Sequence, residues 1–228
     1  MLGTEQYKEI SMTNASVQAL VGLRDFSTVK WYVIPLLVIV FYIYTLELKK
    51  ARASGNWDPL FAGAIVFGTD FVFETINGWV FHLTQHYALW TTPGDTALRT
   101  MVGWNIEIMF MFSLVGIVYY NTLSENRDFR IMGIPDRIFW VFAYAAFCVF
   151  VECFLNVGGH LVWEYPFWCR TPLGVLPIYL GGYVPLMASA MLVLRMGSTR
   201  KRLLYVFSTY AVAVVLNIIG LGVLGMHY

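Results

Sequence analysis

Long apolar runs dominate this chain and limit what it can fold into. Crossing the roughly 30 Å hydrocarbon core of a bilayer takes about 20 apolar residues in a helix. Six runs of about that length occur, roughly from Trp31 to Leu48, Leu60 to Leu83, Thr100 to Asn121, Ile138 to Trp163, Leu173 to Leu194 and Leu203 to Met226. Backbone in hydrocarbon must satisfy its own hydrogen bonds, which favours helices. The predicted fold is therefore all-α, a polytopic integral membrane bundle of about six transmembrane helices. It forms one integral membrane domain over 1–228, with 1–30 as an N-terminal segment outside the bundle. The first run has neither a short apolar core nor a small-residue cleavage site, so it is expected to be retained as a span.

Composition agrees: 58% of the 228 residues are hydrophobic and 13% are charged. A formal charge of +1 offers no basic surface for nucleic acid. Cys148, Cys153 and Cys169 have no metal-binding or redox spacing and read as packing residues. Basic residues fall on alternate connections: Lys49, Lys50 and Arg52, then Arg127, Arg130 and Arg137, then Arg195, Arg200, Lys201 and Arg202. By the positive-inside rule that side is cytoplasmic, which places both termini on the non-cytoplasmic side.

Two segments resemble each other. Glu74 to Trp90 and Glu152 to Trp168 both read Glu, seven residues, His-Leu, two residues, His or Glu, Tyr, two residues and Trp, and Thr-Pro follows each at Thr92-Pro93 and Thr171-Pro172. Such a match suggests an internal repeat of spans two and three in spans four and five. The plainer account is that interfacial aromatic belts select Trp and Tyr independently.

Acidic residues inside the runs carry the functional signal. Asp70, Glu74, Glu107 and Glu152 lie within predicted spans that contain no Lys or Arg, although a charged side chain there costs roughly 2.5–3.5 kcal/mol. Such acids hold or share protons, bind a cation, or pair with His82 and His160. Glu74, Glu107, Glu152, His82 and His160 are accordingly the candidate catalytic residues, expected to line one outward-biased cavity. Asp70 reads instead as a helix-positioning acid or a residue of a cytoplasm-facing crevice. Trp79, Trp104, Asn77, Asn156, Trp163, Tyr165 and Trp168 are the candidate substrate-binding residues, the aromatics offering π-faces to a cationic intermediate. The asparagines, with Asn105 and Asn217, would equally serve as hydrogen-bonding glue between helices.

Three functions fit this set. The first is an enzyme that isomerises, cyclises or hydrates a lipophilic, isoprenoid- or sterol-like substrate, one carboxyl donating a proton and a neighbour accepting one. Its plan is similar in outline to that of small integral-membrane terpene cyclases and sterol isomerases. The second is a metal-dependent oxidoreductase or hydrolase. No cofactor is required by the sequence, but His82, His86, His160 and Glu164 have ligand chemistry suited to a divalent metal, and the spacings of His82 to His86 and His160 to Glu164 put each pair on one helix face. The third is a proton- or cation-coupled transporter or a subunit of a membrane complex. The expected partner is a membrane lipid or another hydrophobic small molecule, and homo-oligomerisation fits so short a chain.

Overall fold

The computed structural model describes residues 12–84 and 87–228. A short helix, α1 (Asn14–Leu20), precedes α2 (Val33–Ser54), α3 (Asp58–Thr84), α4 (Ile106–Thr122), α5 (Asp136–Val157), α6 (Pro172–Pro177), α7 (Val184–Arg195) and α8 (Thr199–Asn217). A π-helical stretch, Ile178–Tyr183, joins α6 to α7, and a second, Ile218–Val223, extends α8. Four helices are long and apolar enough to cross a membrane: Asp58–Thr84, Asp136–Val157, Pro172–Arg195 and Thr199–Val223. The apolar α4 is shorter, at 17 residues, and the 22-residue α2 ends in a charged turn around Lys49, Lys50 and Arg52.

Local chemistry sets the helix ends. Asp58 and Pro59 open α3, where a proline without N–H leaves no intrahelical bond unmade. The predicted run from Thr100 begins too early, because β2 (Arg99–Met101) first pairs antiparallel with β3 (Trp104–Asn105). Asn105 then caps α4, its side chain accepting from Ile108 N at 2.9 Å; it is a cap and not interhelical glue. The run predicted to reach Trp163 ends too late. There α5 stops at Val157, Gly159 turns the chain at φ +71°, and β6 (Val162–Trp163) pairs with β1 (Trp90–Thr91), setting Trp90 opposite Trp163. A further hairpin, β4 (Arg130–Ile131) with β5 (Ile134–Pro135), leads into α5.

The central helix is α3, packed against α4, α7 and α8, while α5 packs on α7. Its contact with α4 is close because Gly116 lies against it. A Cβ there would sit 2.1 Å from Ala62 O, so only glycine lets these backbones meet. Asn217 on α8 does bond across helices, giving its Nδ2 to Thr75 Oγ1 at 2.7 Å. Large apolar side chains such as Phe41, Phe147, Phe154 and Phe207 remain exposed on the outer faces, as lipid-facing positions should be.

Arg99 ties the connections together at the end of the bundle where α3 finishes and α4 starts. It is 5% exposed and donates only to backbone carbonyls: Nε to Thr92 O at 2.8 Å, Nη2 to Gly94 O at 2.8 Å and Nη1 to Val21 O at 2.9 Å. One rigid fork thus joins the segment after α1 to the segment after α3. Arg99→Ala leaves these carbonyls without a donor and should cost about 3 kcal/mol. Thermal unfolding of the detergent-solubilised protein reads this loss, and Arg99→Lys, with fewer donors, should recover only part of it.

Candidate functional site

Helical spacing places two pairs of side chains inward. Asp70 and Glu74 lie four residues apart on α3, and Cys148 and Glu152 four apart on α5, so each pair shares a face. Both pairs line one cavity, together with Tyr183 from the π-helical stretch and Phe112 from α4. The cavity volume is about 50 Å³. That is a slot with room for a few waters, or for a slender apolar group that displaces them. Its walls include Met111 on α4, 39% exposed. Val151 and Leu155 of α5 form the facing wall, and α4 and α5 touch one another only sparsely.

Each acid in the cavity takes an indole N–H. Trp104 Nε1 donates to Asp70 Oδ2 at 2.8 Å, Trp90 Nε1 to Glu74 Oε1 at 2.8 Å, and Trp163 Nε1 to Glu152 Oε2 at 3.3 Å. Tyr183 also bonds Glu152. Indole donors orient a carboxyl without supplying positive charge. Among the described residues no lysine or arginine lines the cavity, so the carboxyls can carry protons or meet a cation. Among the described residues Trp168 Nε1, on its wall, has no hydrogen-bond partner, and Glu74 Oε2, which faces the Asn77 amide, makes no well-aligned bond. The Trp168 ring stacks on that of Trp90, centroids 6.3 Å apart and planes 15° apart.

Asn77 fixes this cluster from behind. Its Nδ2 donates to Trp90 O at 2.8 Å and its Oδ1 accepts from Leu89 N at 2.7 Å. Asn156 holds the other indole-bearing segment, its Nδ2 donating to Leu161 O at 3.0 Å. Both asparagines therefore position aromatic residues of the site and stand behind its wall.

The remaining sequence candidates lie elsewhere. Glu107 is not part of the cavity. It clasps the loop before α4, accepting from Tyr32 Oη at 2.5 Å, Ala97 N at 2.8 Å and the Thr96 hydroxyl; it falls in the first turn of a helix that starts later than the apolar run, so it meets loop donors. Trp79 belongs to a second apolar cluster with Tyr228 and Phe81. His82 sits partly buried in the last turn of α3. His160 is exposed beyond the end of α5, against Gly94. Neither histidine lines the cavity. Tyr165 donates to Tyr87 O at 3.2 Å in the outer connections.

Glu164 accepts from Thr13 Oγ1 at 2.7 Å, Ser16 Oγ at 3.0 Å and Thr91 Oγ1 at 3.1 Å, anchoring α1. His86 lies outside the described residues. Among the described residues no three His, Cys, Asp or Glu side chains are grouped so that they could share a metal ion. The sequence reading underrated Asp70 and missed Trp90, Cys148 and Tyr183. The four-residue spacings of Asp70 to Glu74 and Cys148 to Glu152 were the available signal.

Gly103 presses on the core of the site. A Cβ there would lie 2.5 Å from Asn77 Nδ2, 2.6 Å from Glu74 Oε2 and 2.6 Å from Trp90 Nε1. Gly103→Ala should therefore displace Glu74 or Trp90 at a cost of about 1–3 kcal/mol, read as a lower unfolding temperature together with a change in tryptophan fluorescence.

Residues 13–222 match the model of a family described as "Uncharacterized membrane protein family". An "Uncharacterized protein" of Archaeoglobus fulgidus is 39% identical over 213 residues, covering 93% of this chain and 98% of the relative. No solved structure matches.

Proposed function

The chain belongs to that membrane protein family, and we propose that it is an integral membrane enzyme acting on a lipophilic, isoprenoid- or sterol-like substrate by acid–base chemistry of the isomerase, cyclase or hydratase type. The observation that carries this reading is the set of three carboxyls, Asp70, Glu74 and Glu152, on one cavity wall with indole donors in place of counter-charges. A buried donor without a partner costs about 1–3 kcal/mol, and the hydroxyl of a substrate in the cavity would relieve that cost at Trp168 Nε1. Trp168 would donate to its oxygen, and Glu74 would exchange a proton with it.

Glu74 and Glu152 are the acid–base candidates, with Asp70 behind them. One carboxyl donates a proton to a double bond or a departing hydroxyl, and a neighbouring carboxylate takes a proton from carbon or from water, so the site recovers its starting number of protons. The π-faces of Trp90 and Trp168 and the ring of Phe112 would stabilise positive charge on carbon between these steps. The loosely closed seam between α4 and α5, with Met111 on its edge, offers a route from the bilayer. The metal-dependent alternative loses support from the dispersal of His82, His160 and Glu164.

We read α2 and α4 as spans beside the four longest helices, giving six crossings with both termini on the non-cytoplasmic side. The basic residues at the ends of α2, α4 and α7 and the starts of α5 and α8 support this arrangement. An internal repeat draws support from the paired motifs. Glu74 with Trp90 and Glu152 with Trp163 make the same bond, Asn77 and Asn156 brace the two indole segments, and Trp90 lies opposite Trp163. The sequence match had paired Trp90 with Trp168.

Comparing lipid extracts from cells with and without the protein tests the reading. The profile should change on expression, and Glu152→Gln and Glu74→Gln should each slow that conversion by about 100-fold or more. Trp168→Phe, which keeps the ring and removes the N–H, should weaken it less. Profiles that stay the same across the wild type and all three variants would refute acid–base catalysis here.

A further inference from the structure

A concentration of basic side chains lies at the opposite end of the bundle, where α4 and α7 finish and α5 and α8 start. Arg127, Arg137, Arg195 and Arg202 line one pocket there with Met196 and Gly197, its free space about 770 Å³ counted to its mouth. They arrive from separate places: the connection after α4, the first turn of α5, the last residue of α7 and the first turn of α8.

Arg202 is already committed. It donates to Asp58 Oδ1 and, through Nε, to Met196 O at 3.0 Å, so it fixes the wall. The buried Asp136 beside Arg137 accepts from the backbone N–H of Ser124 at 2.8 Å and of Arg137 at 2.7 Å, and among the described residues it makes no ion pair with the pocket's arginines. Among the described residues Arg127, Arg137 and Arg195 make no ion pair.

An orientation signal needs only basic residues on this side, as Lys49, Lys50 and Arg52 provide at the end of α2. It does not need guanidinium groups from three elements around a single hollow, where their charges repel. Such convergence is favourable when an anion sits among them, and the planar guanidinium fork matches phosphate oxygens two at a time. Gly197 adds room, since a Cβ there would meet nothing within 4 Å.

We propose that this pocket binds a phosphate-bearing anion, supplied either by the headgroup of an anionic membrane lipid or by a soluble phosphate compound. The site is separate from the acid cavity and does not depend on its chemistry. Native mass spectrometry of the delipidated full-length protein, offered phosphatidylglycerol or phosphatidylcholine, tests the lipid source. The wild type should retain phosphatidylglycerol with a preference of about fivefold or more. Arg127→Gln/Arg137→Gln/Arg195→Gln should lose that preference, whereas Lys49→Gln/Lys50→Gln/Arg52→Gln, which removes as many charges from the same side, should keep it.

Phenylglyoxal labelling of the wild type, with and without inorganic diphosphate, tests the soluble source without any variant. Protection of Arg127, Arg137 and Arg195 but not Arg200 supports phosphate recognition even if lipid selectivity is missing. Equal loss of selectivity in both triple variants with no protection, or neither selectivity nor protection, overturns the proposal.

Discussion

Three indole N–H groups hold three carboxyl side chains in the interior of the bundle without bringing a compensating charge. The rest of the site depends on that arrangement. An arginine in place of any one indole would make a closed ion pair, strongly oriented but chemically spent. Indoles from Trp90, Trp104 and Trp163 instead fix where Glu74, Asp70 and Glu152 point and leave their proton inventory open. The Trp90 ring also lines the cavity, so one group that orients an acid helps exclude bulk water.

Keeping those indoles in place is the work of the outer connections. Arg99, Glu107 and Glu164 lie in or beside these connections, and each spends its charge on backbone or hydroxyl groups there. They hold β1, β2 and β3 over the bundle and so set the positions of Trp90 and Trp104. Removing such a clasp should disturb the acid cavity at a distance, by moving an indole. Conventional motif reading would place these residues in the active centre because they are charged and close to helix ends. The structure gives them a different task, and the distinction rests on what their oxygens and nitrogens touch.

The helical character of the chain was legible because apolar runs of span length leave few other folds. The helix starting points were less so. Nothing in the apolarity of Thr100 to Asn105 distinguishes a hairpin with an N-cap from the first turns of a span, and for that reason the loop contacts of Glu107 were not legible. Glu74 and Glu152 were legible from the cost of stranding acids in hydrocarbon. Tyr183 was not, because its approach to Glu152 depends on the π-helical stretch and on how α7 packs, neither of which has a periodic signature. The histidines misled for a simpler reason: regular spacing along a helix puts side chains on a shared face but does not say whether that face meets the cavity.

The π-helical stretch at Ile178–Tyr183 has an evolutionary consequence. A wide turn absorbs one residue inserted into an ordinary helix, so the side chains within the turn are re-aimed by up to roughly 100° about the axis while those beyond it keep their faces. Relatives that lacked one residue between Pro177 and Val184 could keep the same helix length and packing partners downstream while swinging the tyrosine hydroxyl away from Glu152. Single-codon insertions or deletions there would thus be a route by which this scaffold re-aims a cavity side chain without rebuilding its bundle.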